Sequence, residues 1–186
     1  MKTSALLVLP ALAGLVALSA CDQPKWRKPA QPVPAAATPA AEAPKAPKAR
    51  VIPAVNGPTP AAPDWAKPVL GKTLRDVYPK TSLCKGNTDI VQQTYAGAPA
   101  GVQIHGWGWD LAKKARIERV VLVDKDFKIV GAGAGGVARP DVTQNLPEVT
   151  DGNTGWNADA PLTKGALDAY GVIGADSICP LGHIDF

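Results

Sequence analysis

The chain has 186 residues, with 20 Lys+Arg against 16 Asp+Glu and a formal net charge of +4. That length allows one domain of ordinary size and argues against two large ones. An apolar share of 46% excludes a wholly disordered chain, and two His with three Cys exclude a large metal array.

Lys2 supplies a short positive start, and Ala5 to Ala17 is an apolar run broken only by Pro10 and Gly14. Leu18-Ser19-Ala20-Cys21 follows. A charged start, an apolar stretch and a small-residue cleavage site form the pattern of a secretory signal peptide, expected over residues 1–20. A permanent helical span needs about 20 apolar residues, which this stretch barely approaches. Leu18-Ser19-Ala20-Cys21 resembles the bacterial lipobox. The resemblance implies cleavage before Cys21, a diacylglycerol on its thiol and an acyl chain such as palmitate on the new amine. Two or three chains, at about 0.8 kcal/mol per buried CH₂, anchor a protein stably. The expectation is a lipoprotein of the bacterial cell envelope, partnered with the membrane through Cys21. Asp22 resembles the inner-membrane retention signal of enterobacterial lipoproteins, a rule confined to that group. The choice between inner and outer membrane, and between periplasm and cell surface, therefore stays open at this level. A plain secretory signal with an incidental Cys21 is the alternative.

Residues 21–64 read as a tether. Between Asp22 and Asp64 there are 11 Pro and much Ala. Proline removes backbone donors and favours the polyproline II geometry. Too little bulky apolar surface is present to offset ordering, so the expectation is a disordered linker. Fully extended at ~3.1 Å per residue, it would reach on the order of 130 Å.

Residues 65–186 carry most of the bulky apolar side chains. Strand signals recur at Thr88–Gln92, at Val102–Trp107 with Val102 and Ile104 on one face, and at Ile117–Val123. Asp124-Lys125-Asp126 makes a turn and Phe127–Val130 returns, which predicts a β-hairpin. Thr154–Ala158, Ala166–Ile173 and Ser177–Cys179 complete the set. About seven short strands split by Gly, Pro and Asn predict an all-β fold, a small antiparallel β-sandwich. The helical competitor, Asp110–Arg119, is expected to give at most a turn of helix or a charged loop. Arg139-Pro140-Asp141-Val142 is a second place for a helical turn.

With Cys21 lipidated, Cys84 and Cys179 remain. Two thiols in an exported, oxidising compartment favour a disulfide over a redox or metal pair, since no CxxC spacing is present.

Gly131-Ala132-Gly133-Ala134-Gly135-Gly136 matches G-x-G-x-x-G, but Pro140 and Pro147 leave no room for the helix whose N-terminus would face a pyrophosphate. A flexible or tightly packed strand exit is expected, with no cofactor. His105 and His183 are the two imidazoles, with Asp110 and Asp185 close in sequence. A hydrolase built on either needs a nucleophile, and no Ser stands in a G-x-S-x-G elbow. Asp124 and Asp126 sit among Lys125 and Lys128, so a solvated hairpin tip is expected rather than a metal site. On a strand, Trp107 and Trp109 share a face with His105. Together with Trp156 they form a candidate ligand platform on which a sugar ring would stack, the alternative being that these rings fill the core.

The order of motifs is Gly106-Trp107-Gly108-Trp109-Asp110, then the Ile117–Asp124 and Phe127–Gly131 hairpin, then Arg139-Pro140-Asp141-Val142, Thr154-Gly155-Trp156, Ala169-Tyr170 and Cys179-Pro180. It resembles the β-sandwich accessory and Ig-like domains of bacterial membrane proteins that handle surface glycans. The resemblance covers roughly residues 84–182 and implies no catalytic residues. The resulting expectation is a non-enzymatic binding or positioning module for an envelope glycan or an envelope protein partner. An envelope hydrolase and a purely structural spacer are the alternatives. Charge sorts the same way. Residues 21–64 carry six basic against three acidic groups, while residues 65–186 carry 13 of each. The basicity suits anionic headgroups near the anchor, and the neutral domain has no footprint for nucleic acid.

Overall fold

The computed structural model describes residues 52–186; the expected signal peptide, Cys21 and the rest of the chain up to residue 51 lie outside the described residues. The fold is all-β. In chain order the elements are β1 (Ala54–Val55), α1 (Leu74–Val77), β2 (Lys80–Thr81), β3 (Cys84–Tyr95), β4 (Gly101–Asp110), β5 (Ala115–Arg116), β6 (Arg119–Val123), β7 (Ile129–Val137), α2 (Pro140–Asn145), β8 (Gly155–Ala160), β9 (Ala166–Val172) and β10 (Ser177–Asp185). Strand order is β1-β3-β4-β8-β7-β6-β9-β10-β2, with β5 beside β4. All pairs from β3 through to β10 are antiparallel, and the two-residue strands β1 and β2 add in parallel at the two ends.

The two layers come from one sheet that curls until β3 meets β10. A Cβ on Gly86 would stand 2.7 Å from Leu181 Cδ2, and one on Gly182 only 2.8 Å from the Thr88 amide nitrogen. The Cys84–Cys179 disulfide joins the same two strands, with Cα atoms 5.7 Å apart. Inside the curl lie Val102, Ile104, Ile117, Val120, Leu122, Trp156 and Leu181. Residues facing outward are covered in two places. Trp65, Val69, Leu74 and Tyr78 lie over Val121, Val123 and Ile129. Val142, Leu146 and Val149, on and after α2, cover Trp109. With both faces of β6 covered, its run of Val and Leu is continuous rather than alternating.

The strands outrun their sequence signals. β3 covers 12 residues and β10 nine, although only Thr88–Gln92 at the centre of the one and Ser177–Cys179 at the start of the other read as strand. Pairing along β4 carries polar Lys85 and Asn87 into the ladder, and register shifts between Thr88 and Ile90 and between Val91 and Gln93 break the alternation. The glycine run lies inside β7 rather than at a strand exit. Its lack of side chains lets backbone come close: a Cβ on Gly133 would stand 1.9 Å from the Asn157 carbonyl oxygen. The hairpin forms as expected between β6 and β7. Asp124 Oδ1 accepts from the amides of Asp126 and Lys128, both at 2.9 Å, which commits this carboxylate to the turn. Asp110 does the same for Ala112 and Lys113, at 2.9 and 3.1 Å, so the segment after it turns instead of starting a helix. The second expected helical turn forms as α2, opened by Pro140 at its first position.

Within the stretch read as tether, residues 53–59 run along the edge of β3. Prolines lack donors but keep carbonyls, and the edge of β3 offers amides. The Thr94 amide donates to Pro53 O at 2.9 Å, the Ala96 amide to Val55 O at 3.0 Å and the Gly97 amide to Gly57 O at 2.7 Å. The Thr59 amide then donates to Pro99 O at 2.7 Å. A composition that cannot build its own core can still dock on an existing edge.

Candidate functional site

β4 sorts its side chains by parity. Val102, Ile104 and the spaces over Gly106 and Gly108 face the core; Gln103, His105, Trp107 and Trp109 face out. The expected platform of His105, Trp107, Trp109 and Trp156 does not form. Trp156 pairs with Gly106 in the ladder and points inward with it. A Cβ on Gly106 would stand 2.3 Å from the Trp156 ring, so the glycine makes room for this indole rather than for a sugar. Trp156 is fully buried, and Trp109 is 2% exposed beneath Val142 and Val149. Trp107 and His105 remain half-buried on the outer face.

His105 Nδ1 is 2.7 Å from Oδ1 of Asn157, its cross-strand neighbour on β8. His183 lies on another strand, β10, paired with β9. Its Nδ1 is 2.7 Å from Asp168 Oδ1 and its Nε2 3.4 Å from Asp185 Oδ1. The Asp168 bond is the main reason that the His183 imidazolium is held to higher pH than usual. Cys84, bonded to Cys179, offers no thiolate. Arg139 of the Arg139-Pro140-Asp141 motif forks onto Asp141, with Nε at 2.9 Å and Nη2 at 2.7 Å, and also binds Asp89. It ties α2 to β3 and raises the guanidinium's affinity for its proton, chiefly through Asp141.

The outer face continues from His105 into a hydrogen-bonded row that crosses three strands. Asp159 Oδ1 accepts from Tyr95 Oη at 2.8 Å and from Gln103 Nε2 at 3.2 Å. Gln93 Nε2 donates to Tyr95 Oη at 3.0 Å. The register makes this possible: Gln93 opposes Gln103, and Gln103 opposes Asp159. Burial pushes the Asp159 carboxyl above its ordinary value, against the two donors that favour its charged form. Burial likewise raises the Tyr95 phenol, and the adjoining Asp159 adds to it.

Asp159 also lines a pocket of about 470 Å³. The segment docked on the β3 edge forms one wall with Pro58, Pro60 and Ala62, and Pro99, Val130 and Pro161 form the others. A concave, mostly apolar cavity of this size with one oriented polar group is the usual form of a ligand site. The sequence carried a faint mark of it. Asp159 interrupts Ala158 and Ala160 in a strand pattern, a charged residue between two buried alanines. The expected strand stopped at Ala158, and the wall came from residues assigned to the tether. No family model, curated protein or solved structure matches the chain.

Proposed function

We propose that the chain is a lipid-anchored protein of the bacterial cell envelope whose β-domain is a non-enzymatic binding module for an envelope protein or glycan. The observation that carries the binding reading is the Asp159 pocket with its row of oriented amides. An oriented carboxylate in an apolar recess costs desolvation and offers selectivity in return. A spacer has no use for it. The wide aromatic platform that would favour a glycan shrinks to Trp107, while the apolar pocket walls suit a protein partner. The hydrolase reading, on His105 or His183, draws less support. Their ring partners are Asn157 on one and Asp168 with Asp185 on the other, and no hydroxyl or thiol is bonded to either ring among the described residues.

The test has two arms. Cys21→Ser should leave the precursor unprocessed and unlabelled by palmitate; labelling that persists removes the lipoprotein assignment. Asp159→Asn should weaken retention of purified envelope proteins or of isolated cell-wall glycan at least several-fold, with the melting temperature almost unchanged. Retention that Asp159→Asn leaves untouched moves the binding away from this pocket, and none at all returns the domain to the spacer reading.

A further inference from the structure

We propose that the Asp159 pocket receives a lysine side chain of a protein partner, its ammonium on Asp159 and its aliphatic stem along the proline wall. The inference rests on the domain being a binding module and goes beyond it by naming the group bound.

Three observations converge. Asp159 takes its two hydrogen bonds from neutral donors, Tyr95 and Gln103, both on Oδ1. Among the described residues no Lys, Arg or His is hydrogen-bonded to it. Oδ2 is therefore left to accept from a ligand, and the charge left to be balanced by one. The lining contributes no second charged side chain to compete. The remaining walls, Pro58, Pro60, Leu70, Pro99, Val130 and Pro161, offer apolar surface, and the one hydroxyl of the lining, on Thr59, is buried. That surface decides between candidate cations. An amino sugar carries hydroxyls all around its ring, and these walls would leave most of them unpaired. An arginine head is planar and asks for two parallel acceptors, whereas Oδ1 is already occupied. A lysine side chain has a four-carbon apolar stem and a compact ammonium that needs few partners. A volume of about 470 Å³ also admits the small residues flanking it.

The test titrates the full chain in detergent with Nα-acetyl-lysine methylamide, its norleucine analogue, its Nε-acetyl form and glucosamine, followed by NMR shifts of the Gln103 and Asp159 amides. The expected result is saturable binding of the lysine compound, at least tenfold weaker binding of norleucine and Nε-acetyl-lysine, and none of glucosamine. Asp159→Asn should bring lysine down to the norleucine level without moving shifts elsewhere in the sheet. Equal binding of lysine and norleucine, preference for glucosamine, insensitivity to Asp159→Asn, or no binding by any probe overturns the proposal. Retention of envelope material that survives such a failure would leave the binding module standing with a different ligand.

Discussion

The outer face of β4 ends in two opposite ways. At the Trp109 end, α2 and the chain after it close over the indole with Val142 and Val149, and the surface becomes a small core. At the Gln103 end, a proline-rich segment hydrogen-bonded along the edge of β3 borders a recess with Asp159 in its wall. Both covers are short and irregular, and both adjoin a face with the same strand geometry. The difference lies in what each cover presents. Val142, Leu146 and Val149 carry flexible or branched side chains that fill the space above a ring. Pro58, Pro60 and Ala62 present compact side chains, and proline rings cannot reorient to fill a gap. A cover of branched residues therefore makes stability, and a cover of proline makes a cavity.

Substitutions should separate the two ends. Trp109→Ala, and Trp156→Ala in the main core, should each cost about 3–5 kcal/mol in denaturant unfolding, as expected for truncating a buried ring. A loss below about 1 kcal/mol at Trp109 would mean that its cover is not packed and would erase the contrast. Replacing both Cys84 and Cys179 by Ser opens a loop with a sequence separation of 95. Its expected cost is about 2–5 kcal/mol, and the chain-entropy estimate for a loop of about 100 residues is about 4.7. Intact mass without reductant reports the bond directly, and an unchanged unfolding midpoint in the double variant would show that packing alone holds β3 to β10.

The smallest effect belongs to the pocket end. Asp159 has a folded-state pKa above its unfolded one, so its acid form is the one favoured by folding. The wild type should therefore lose stability relative to Asp159→Asn as pH rises from the ordinary value of 3.8 through the raised folded value, and hold a constant deficit above it. Unfolding of the two proteins across that range checks the sign. A wild type that instead gains on the variant with rising pH would place the carboxylate beside a cation and contradict its isolation.

The fold was legible where side chains alternate or run apolar. Val102 and Ile104, the β6 run and the Asp124 turn all declare themselves, because burial of one face imposes a period of two and an Asx turn needs its aspartate. The disulfide followed from the cysteine count together with the expectation of export. What stayed hidden depends on partners distant in sequence. Gly106 reads as room for a ligand until Trp156, 50 positions later, is seen to occupy it. The candidate site was concealed for the same reason. Tyr95, Gln103 and Asp159 meet through ladder register, and the pocket wall comes from a stretch whose composition alone argues against order.

The disulfide has one more consequence, for covalent connectivity. Cys84 to Cys179 encloses β3 through β9 and the start of β10 in a closed ring of chain, so a single backbone cut inside it leaves one molecule. Residues 52–83 lie outside that ring, and they include the proline wall. One cleavage between the wall and Cys84 would leave the ring whole while severing from it both the pocket's proline side and everything that precedes it. The ring would survive one cut as a single molecule, and the recess straddles its border.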